Sequence, residues 1–129
     1  MKHIIYNAVR LPSGKVLESR HQHDYNCAEG VCVDGGLDYL RRVGNLENCT
    51  ELSVCAEDPI EKTREVPLWG TYGKSGKDKF KWVCTREMET DHISNILQYQ
   101  FHVNAGVRQA LIKELLLRDE LKEVRHKDV

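Results

Sequence analysis

Between residues 18 and 42 the chain concentrates side chains able to bind or react: ESRHQHDYNCAEGVCVDGGLDYLRR. Arg20, His21 and His23 offer cationic or ligating nitrogens, Asp24 a carboxylate, and Cys27 and Cys32 two sulfurs. Arg41 and Arg42 follow a glycine pair. Building a core does not require so many polar groups. The segment points to an anion, a metal or a symmetry axis.

Zinc would be held by H-x-H-x3-C-x4-C, formed by His21, His23, Cys27 and Cys32. Zinc sites usually combine two well-separated pairs of ligands. Here the pairs are nearly contiguous, although His21 and His23 would share one face of a strand. Free cysteines packed as small apolar residues are the simpler account, so neither a metal nor another cofactor is expected. A catalytic reading would make His21 or His23 the base, Asp24 its orienting acid and Cys27 or Cys32 the nucleophile. No G-x-S-x-G elbow and no H-E-x-x-H motif supports it, and Glu114, Glu120 and Glu123 read as a solvated helix face. An enzyme is therefore not expected. The loop Gly73-Lys74-Ser75-Gly76-Lys77-Asp78 fails as a phosphate loop. Asp78 stands where Ser or Thr is needed, and a strand follows instead of a helix.

Nucleotide binding without turnover makes a third reading. A base needs an aromatic surface, and phosphates need Arg, Lys or backbone N–H groups. Trp69, Phe80, Trp82, Arg64 and Arg108 supply both. Arg20 and His21 form a second cationic point, which three-fold symmetry would triple for a three-phosphate ligand. Taken one at a time, each aromatic is more simply a core residue.

These residues need elements to hold them. His3 to Arg20 reads as a hairpin about Pro12-Ser13-Gly14-Lys15. Val31 and Val33 form a short strand before a turn at Asp34-Gly35-Gly36. Leu37 to Val43 reads as a short helix ended by Gly44-Asn45. A strand is expected over Leu52 to Cys55, then a helical turn or loop at Asp58-Pro59-Ile60. Val66 to Tyr72 and Lys79 to Thr85 form a hairpin. One helix runs from Thr90 or Asp91 to about Tyr99, with Ile93, Ile96 and Leu97 as its apolar face. A second, capped by Asn104, runs from Ala105 to about Arg125. The fold class is α+β: an antiparallel β-sheet with two C-terminal α-helices, in one domain that is mainly β over 1–86 and helical over 87–129. In the last helix Leu115, Leu116 and Leu117 spread wider than one core-facing stripe of about 100°. A homo-oligomer through this helix is expected.

Bulk properties bound the rest. The 129 residues suit one domain, 40% are hydrophobic, 30% are charged and the net charge is −1. No overall field draws the chain to nucleic acid or to a membrane. No apolar run approaches the roughly 18 residues that cross a bilayer, and the N-terminus is too short in its apolar part for a signal peptide. A cytoplasmic location is expected. There are five cysteines; an odd number without a secretion signal argues against a disulfide framework.

The segment RHQHDYNC…VDGGLDYLRR resembles an uncharacterised phage and bacterial family with K-x-R-H-D-F, C-x-C-G and V-D-G-G-x-x-Y-L-R-R motifs. The half beginning REVPLWGTYGKSGKDKFKWV and continuing through TDHISNIL to LLLRDE resembles a common phage pattern. Two departures stand out: Cys27-Ala-Glu-Gly-Val-Cys32 replaces C-x-C-G, and Gln22 interrupts R-H-D. The first makes a shared metal role less expected. Length, element order and the Arg-His pair are also similar to the first Thoeris anti-defence family. Those small phage proteins sequester cyclic ADP-ribose signals without cleaving them; some form hexamers and also hold CBASS cyclic trinucleotides. The resemblance implies a cyclic ADP-ribose pocket lined by Trp82, His92 and Arg108, and a trinucleotide site at Arg20 and His21. The competing expectation is a small zinc-stabilised phage module that binds nucleic acid or a host protein.

Overall fold

Pro12-Ser13-Gly14-Lys15 reverses the chain as its composition predicts, and β1 (Ile4–Arg10) pairs antiparallel with β2 (Val16–Ser19). The computed structural model describes residues 2–20, 24–73 and 75–127, with side chains as far as residue 121. The chain divides into two compact units, Met1–Asp58 and Pro59–Val129. Antiparallel sheets come first and two C-terminal helices close the sequence.

In the first unit, β1 also pairs with β6 (Thr50–Glu51) and β7 (Val54–Cys55), with an irregular register between Ile4 and Tyr6. Ser53 lies between β6 and β7 and repairs the ladder there: the Ala8 N–H donates to its Oγ at 3.1 Å. At the far end of β1, the His3 N–H and ring both reach the Glu57 carboxylate, at 2.7 and 2.8 Å. Those bonds from His3 hold the Glu57 carboxyl down at about 2.

The second sheet of this unit is β3 (Asn26–Ala28), β4 (Val31–Gly36) and β5 (Tyr39–Gly44). Glu29 and Gly30 both take positive φ, 52° and 78°, the geometry of a type I′ two-residue hairpin. β4 packs against β1 and β2. Val9, Leu11, Leu17, Val31 and Val33 form the core, with Ala28 and Cys49 against it. Such alternating apolar residues drop one strand face into a shared interior.

Three expectations are corrected here. Leu37 to Val43 is not a helix: Leu37 and Asp38 make a two-residue turn, with Asp38 at φ 61°, and β5 returns along β4. Apolar residues at 37, 40 and 43 fit a helix by spacing, but the ladder to β4 decides the outcome. Asp34-Gly35-Gly36 is accordingly the end of a strand and not a turn. Cys27 and Cys32 are not free; they stand directly opposite one another in the β3–β4 register and are joined as a disulfide.

The second unit opens with α1 (Ile60–Thr63), for which Pro59 is the N-cap. The hairpin of β8 (Trp69–Thr71) and β9 (Lys81–Val83) follows, then a 3-10 turn at Thr85–Glu87. Helices α2 (Thr90–Tyr99) and α3 (Ala105–Lys127) complete it. Asn104 caps α3 as expected, its Oδ1 accepting from the Gly106 and Val107 N–H groups at 2.8 and 3.2 Å. Glu89 stands at the α2 N-cap position without a side-chain cap bond. The core joins Ile93 and Ile96 of α2 to Val107, Ala110 and Leu111 of α3, with Val66, Leu68, Cys84 and Met88 also buried. Among the described residues no helix is long and apolar enough to cross a membrane.

Candidate ligand-binding site

The β8–β9 ribbon is the element whose two faces matter most. Trp69 pairs with Val83, Gly70 with Trp82 and Thr71 with Lys81. Directly opposed residues share a face and successive residues alternate. Trp82 and Lys81 therefore project to opposite sides. On Trp82's side, Phe80 stands edge-on to Trp82 at 5.4 Å and to Tyr72 at 5.2 Å between ring centres. The three rings are 57%, 48% and 40% exposed in the order Tyr72, Phe80, Trp82. Gly70 makes room for them, since a Cβ there would lie 2.5 Å from the Phe80 ring.

The opposite side borders an open groove of about 680 Å³, between the hairpin, the 3-10 turn and the start of α2. Asp78, Lys81, Glu87, Glu89, Asp91 and His92 are among its lining residues. Four carboxylates against one lysine make this groove a poor clamp for a bare anion. Hydroxyl and amine groups suit it better.

His92 thus lines the groove, whereas Trp82 and Arg108 do not line it. Arg108 lies exposed on α3, its Nη1 donating to the Leu97 carbonyl at 3.4 Å. No family model, curated protein or solved structure matches this chain.

Arg64 lies elsewhere, in an ion-pair hub. Its Nε and Nη2 fork onto the two carboxylate oxygens of Glu114 at 3.0 and 3.1 Å. Arg118 adds its Nε to Glu114 at 2.9 Å, and the Thr85 hydroxyl lies 3.4 Å from the same carboxylate. The remaining Arg118 nitrogens donate to Thr90 Oγ1 and to the carbonyls of Thr85 and Met88, at 2.7–2.9 Å. Glu114 is completely buried, so its expected place on a solvated helix face is corrected. The hub ties the end of α1, the 3-10 turn and the first residue of α2 to α3. The sequence contained a hint: Glu114 and Arg118 stand at i, i+4 on a face otherwise set by Val107, Ala110 and Leu111.

Arg20 is engaged within the first unit. Its guanidinium lies 5.3 Å from the centre of the Tyr6 ring and 3.3 Å from Glu18 Oε1. Its backbone N–H donates to Asp24 Oδ2 at 2.7 Å. His21 and His23 lie outside the described residues. With Cys27 and Cys32 bonded to each other, neither sulfur is the thiolate that zinc requires. No cluster of three or more metal-ligating side chains occurs among the described residues.

Tyr6 carries a testable consequence. Its hydroxyl donates to Glu18 Oε2 at 2.9 Å. Burial first, and then that bond, push the phenol from its usual 10.0 to about 12. A value raised in the fold means that the protonated phenol supports folding fully below pH 10. That support is lost as pH rises through about 12. Ultraviolet titration should show one tyrosine ionising late, with loss of first-unit structure above that point. In Tyr6→Phe the late step should disappear; its persistence would assign it to another tyrosine.

Proposed function

We propose that this chain binds cyclic nucleotide signals without turning them over, using the aromatic face of the β8–β9 hairpin as its stacking surface. The observation that carries the reading is the exposed Tyr72–Phe80–Trp82 set held edge to face. Aromatic side chains left in water at this density are costly unless something covers them. A purine has a matching flat face, and one base stacked on such a ring contributes roughly 1–3 kcal/mol. Lys77 and Lys79 are exposed in the loop that leads into Phe80, and in this reading they are the nearest sequence source of positive charge for the phosphates. The resemblance to the Thoeris anti-defence family narrows the class to cyclic ADP-ribose isomers. Cyclic trinucleotides enter as alternative guests of the same face, because Arg20 is engaged with Tyr6 and Glu18.

In this reading a sponge works by slow release.

Calorimetry with a panel of cyclic ADP-ribose isomers, cyclic trinucleotides and a single-stranded oligonucleotide tests the proposal. At least one cyclic ligand should bind, and Trp82→Ala should weaken it by about 1–3 kcal/mol, roughly 5- to 150-fold. The ligand should be recovered intact after denaturation. Flat heats for every cyclic ligand would end the reading. Heat from the oligonucleotide alone would replace it with single-strand binding.

A further inference from the structure

The hairpin of β3 and β4 is specified without the disulfide that crosses it. Glu29 and Gly30 supply the two positive φ angles of its turn, and β4 is held along its other edge by the full register with β5. Cys27 and Cys32 are only five positions apart. A crosslink closing so short a loop removes little freedom from the unfolded chain. The sulfurs are nevertheless placed with care. The two-residue loop makes Ala28 and Val31 the hydrogen-bonded pair, so Cys27 and Cys32 are the non-hydrogen-bonded pair beyond it. Side chains approach most closely in such a pair, and here the Cα atoms are 4.1 Å apart. Val31 and Val33 are buried in the core, so strand alternation turns Cys32 to the other face of the sheet. Val43, opposite Cys32 on β5, shares that face and is 39% exposed. Cys27 itself is exposed and Cys32 half-buried.

We propose that Cys27–Cys32 is a reversible thiol–disulfide exchange site whose substrate is a small-molecule thiol of the glutathione type. Access selects the point of attack. The incoming thiolate bonds to the exposed Cys27 Sγ, the Cys27–Cys32 bond breaks, and Cys32 leaves as a thiolate that takes up a proton. A second thiolate attacks the outer sulfur of this mixed disulfide and releases Cys27, which is protonated in turn. The protein gains two electrons and two protons, and the two small thiols that supply them leave as one small disulfide. In the reverse direction Cys27 carries the adduct and Cys32 resolves it. The β3–β4 ladder keeps the reduced sulfurs opposed, so that closure is intramolecular. The site lies in the first unit and does not depend on any nucleotide.

The test exposes the full chain, in native buffer, to reduced and then oxidised glutathione. Thiol alkylation and peptide mass spectrometry report each cysteine. Cys27 and Cys32 should become reduced together, equally fast with and without sub-denaturing urea, while circular dichroism stays unchanged. Excess oxidised glutathione should restore the bond. In Cys32→Ser no resolving sulfur remains, so Cys27 should accumulate about tenfold or more glutathione adduct than in the wild type. Cys27→Ser, left with the half-buried sulfur, should accumulate less than Cys32→Ser. Reduction that waits until urea unfolds the chain would make the bond a structural crosslink and overturn the proposal. So would loss of circular dichroism on reduction, or adduct in Cys32→Ser no higher than in the wild type or in Cys27→Ser.

Discussion

Glu114→Ala is expected to cost the second unit about 3–5 kcal/mol, enough to unfold much of a marginally stable domain. The cause is what the substitution leaves behind. Arg64 and Arg118 would lose the carboxylate that takes three of their N–H bonds. Both guanidiniums are largely enclosed, with 27% and 19% of their side chains exposed. Exchanging a whole buried triad for apolar residues is often neutral. It should not be neutral here. Arg118 also donates to the carbonyls of Thr85 and Met88; removing it costs the Met88 carbonyl that donor, while the Thr85 carbonyl keeps only the Met88 N–H. Glu114→Gln should fall between, because one amide oxygen still accepts while the amide nitrogen confronts donors. Trp69 and Trp82 both belong to this unit, so urea melts followed by tryptophan fluorescence report on it directly. Glu120→Ala, on the exposed side of α3, serves as control and should stay within about 0.5 kcal/mol of wild type. Equal stability of the Glu114 and Glu120 variants would show that the hub contributes nothing.

Glu114 also shows where reading the sequence reaches its limit. Among the charges of α3, no local rule separates the carboxylate that faces solvent from the one that anchors a core. Its partner Arg64 is fifty positions away, and only the tertiary fold brings them together. Local chemistry was legible where it was strong. Pro12 to Lys15 dictated the first hairpin, Asn104 the start of α3, and Gly73 to Asp78 the loop of the second hairpin. It was illegible where two periodicities coincide, as at Leu37, Leu40 and Val43. The candidate site divides in the same way. Trp82 and Lys81 lie on opposite faces of the ribbon because successive strand residues alternate. The position of His92 beside Lys81 depends on how α2 packs against that ribbon, and no spacing along the chain encodes it. Tyr72 joins Phe80 and Trp82 only through the register, because aromatic residues across a hairpin become neighbours once the strands are paired.

Gly35→Ala should destabilise the first unit by roughly 2–4 kcal/mol, although it adds one methyl group. Gly35 sits buried in β4 at φ +123°, a conformation closed to other L-residues. A Cβ there would lie 2.1 Å from the Tyr39 carbonyl oxygen and 2.9 Å from Asn7 Nδ2. The first obstacle is backbone, so no rotamer relieves it, and the β4–β5 turn must open. Opening reaches further than the turn. Asn7 donates to the Asp34 carbonyl at 2.9 Å and accepts from Arg42 at 2.6 Å, while Arg42 also reaches Glu51 and Ser53. Ser19 donates to the Gly35 carbonyl from β2 at 3.1 Å. Moving Gly35 therefore loosens polar contacts that join both sheets of the unit. Gly14→Ala is the matched comparison. It shares a positive φ, +94°, but nothing lies within 4 Å of its added Cβ. Backbone strain alone, about 1 kcal/mol, is expected there. Thermal melts of the two variants, followed by tyrosine signals and circular dichroism, measure the difference. Similar losses in both would mean that conformation, and not the close approach of Tyr39, sets the requirement for glycine in β4.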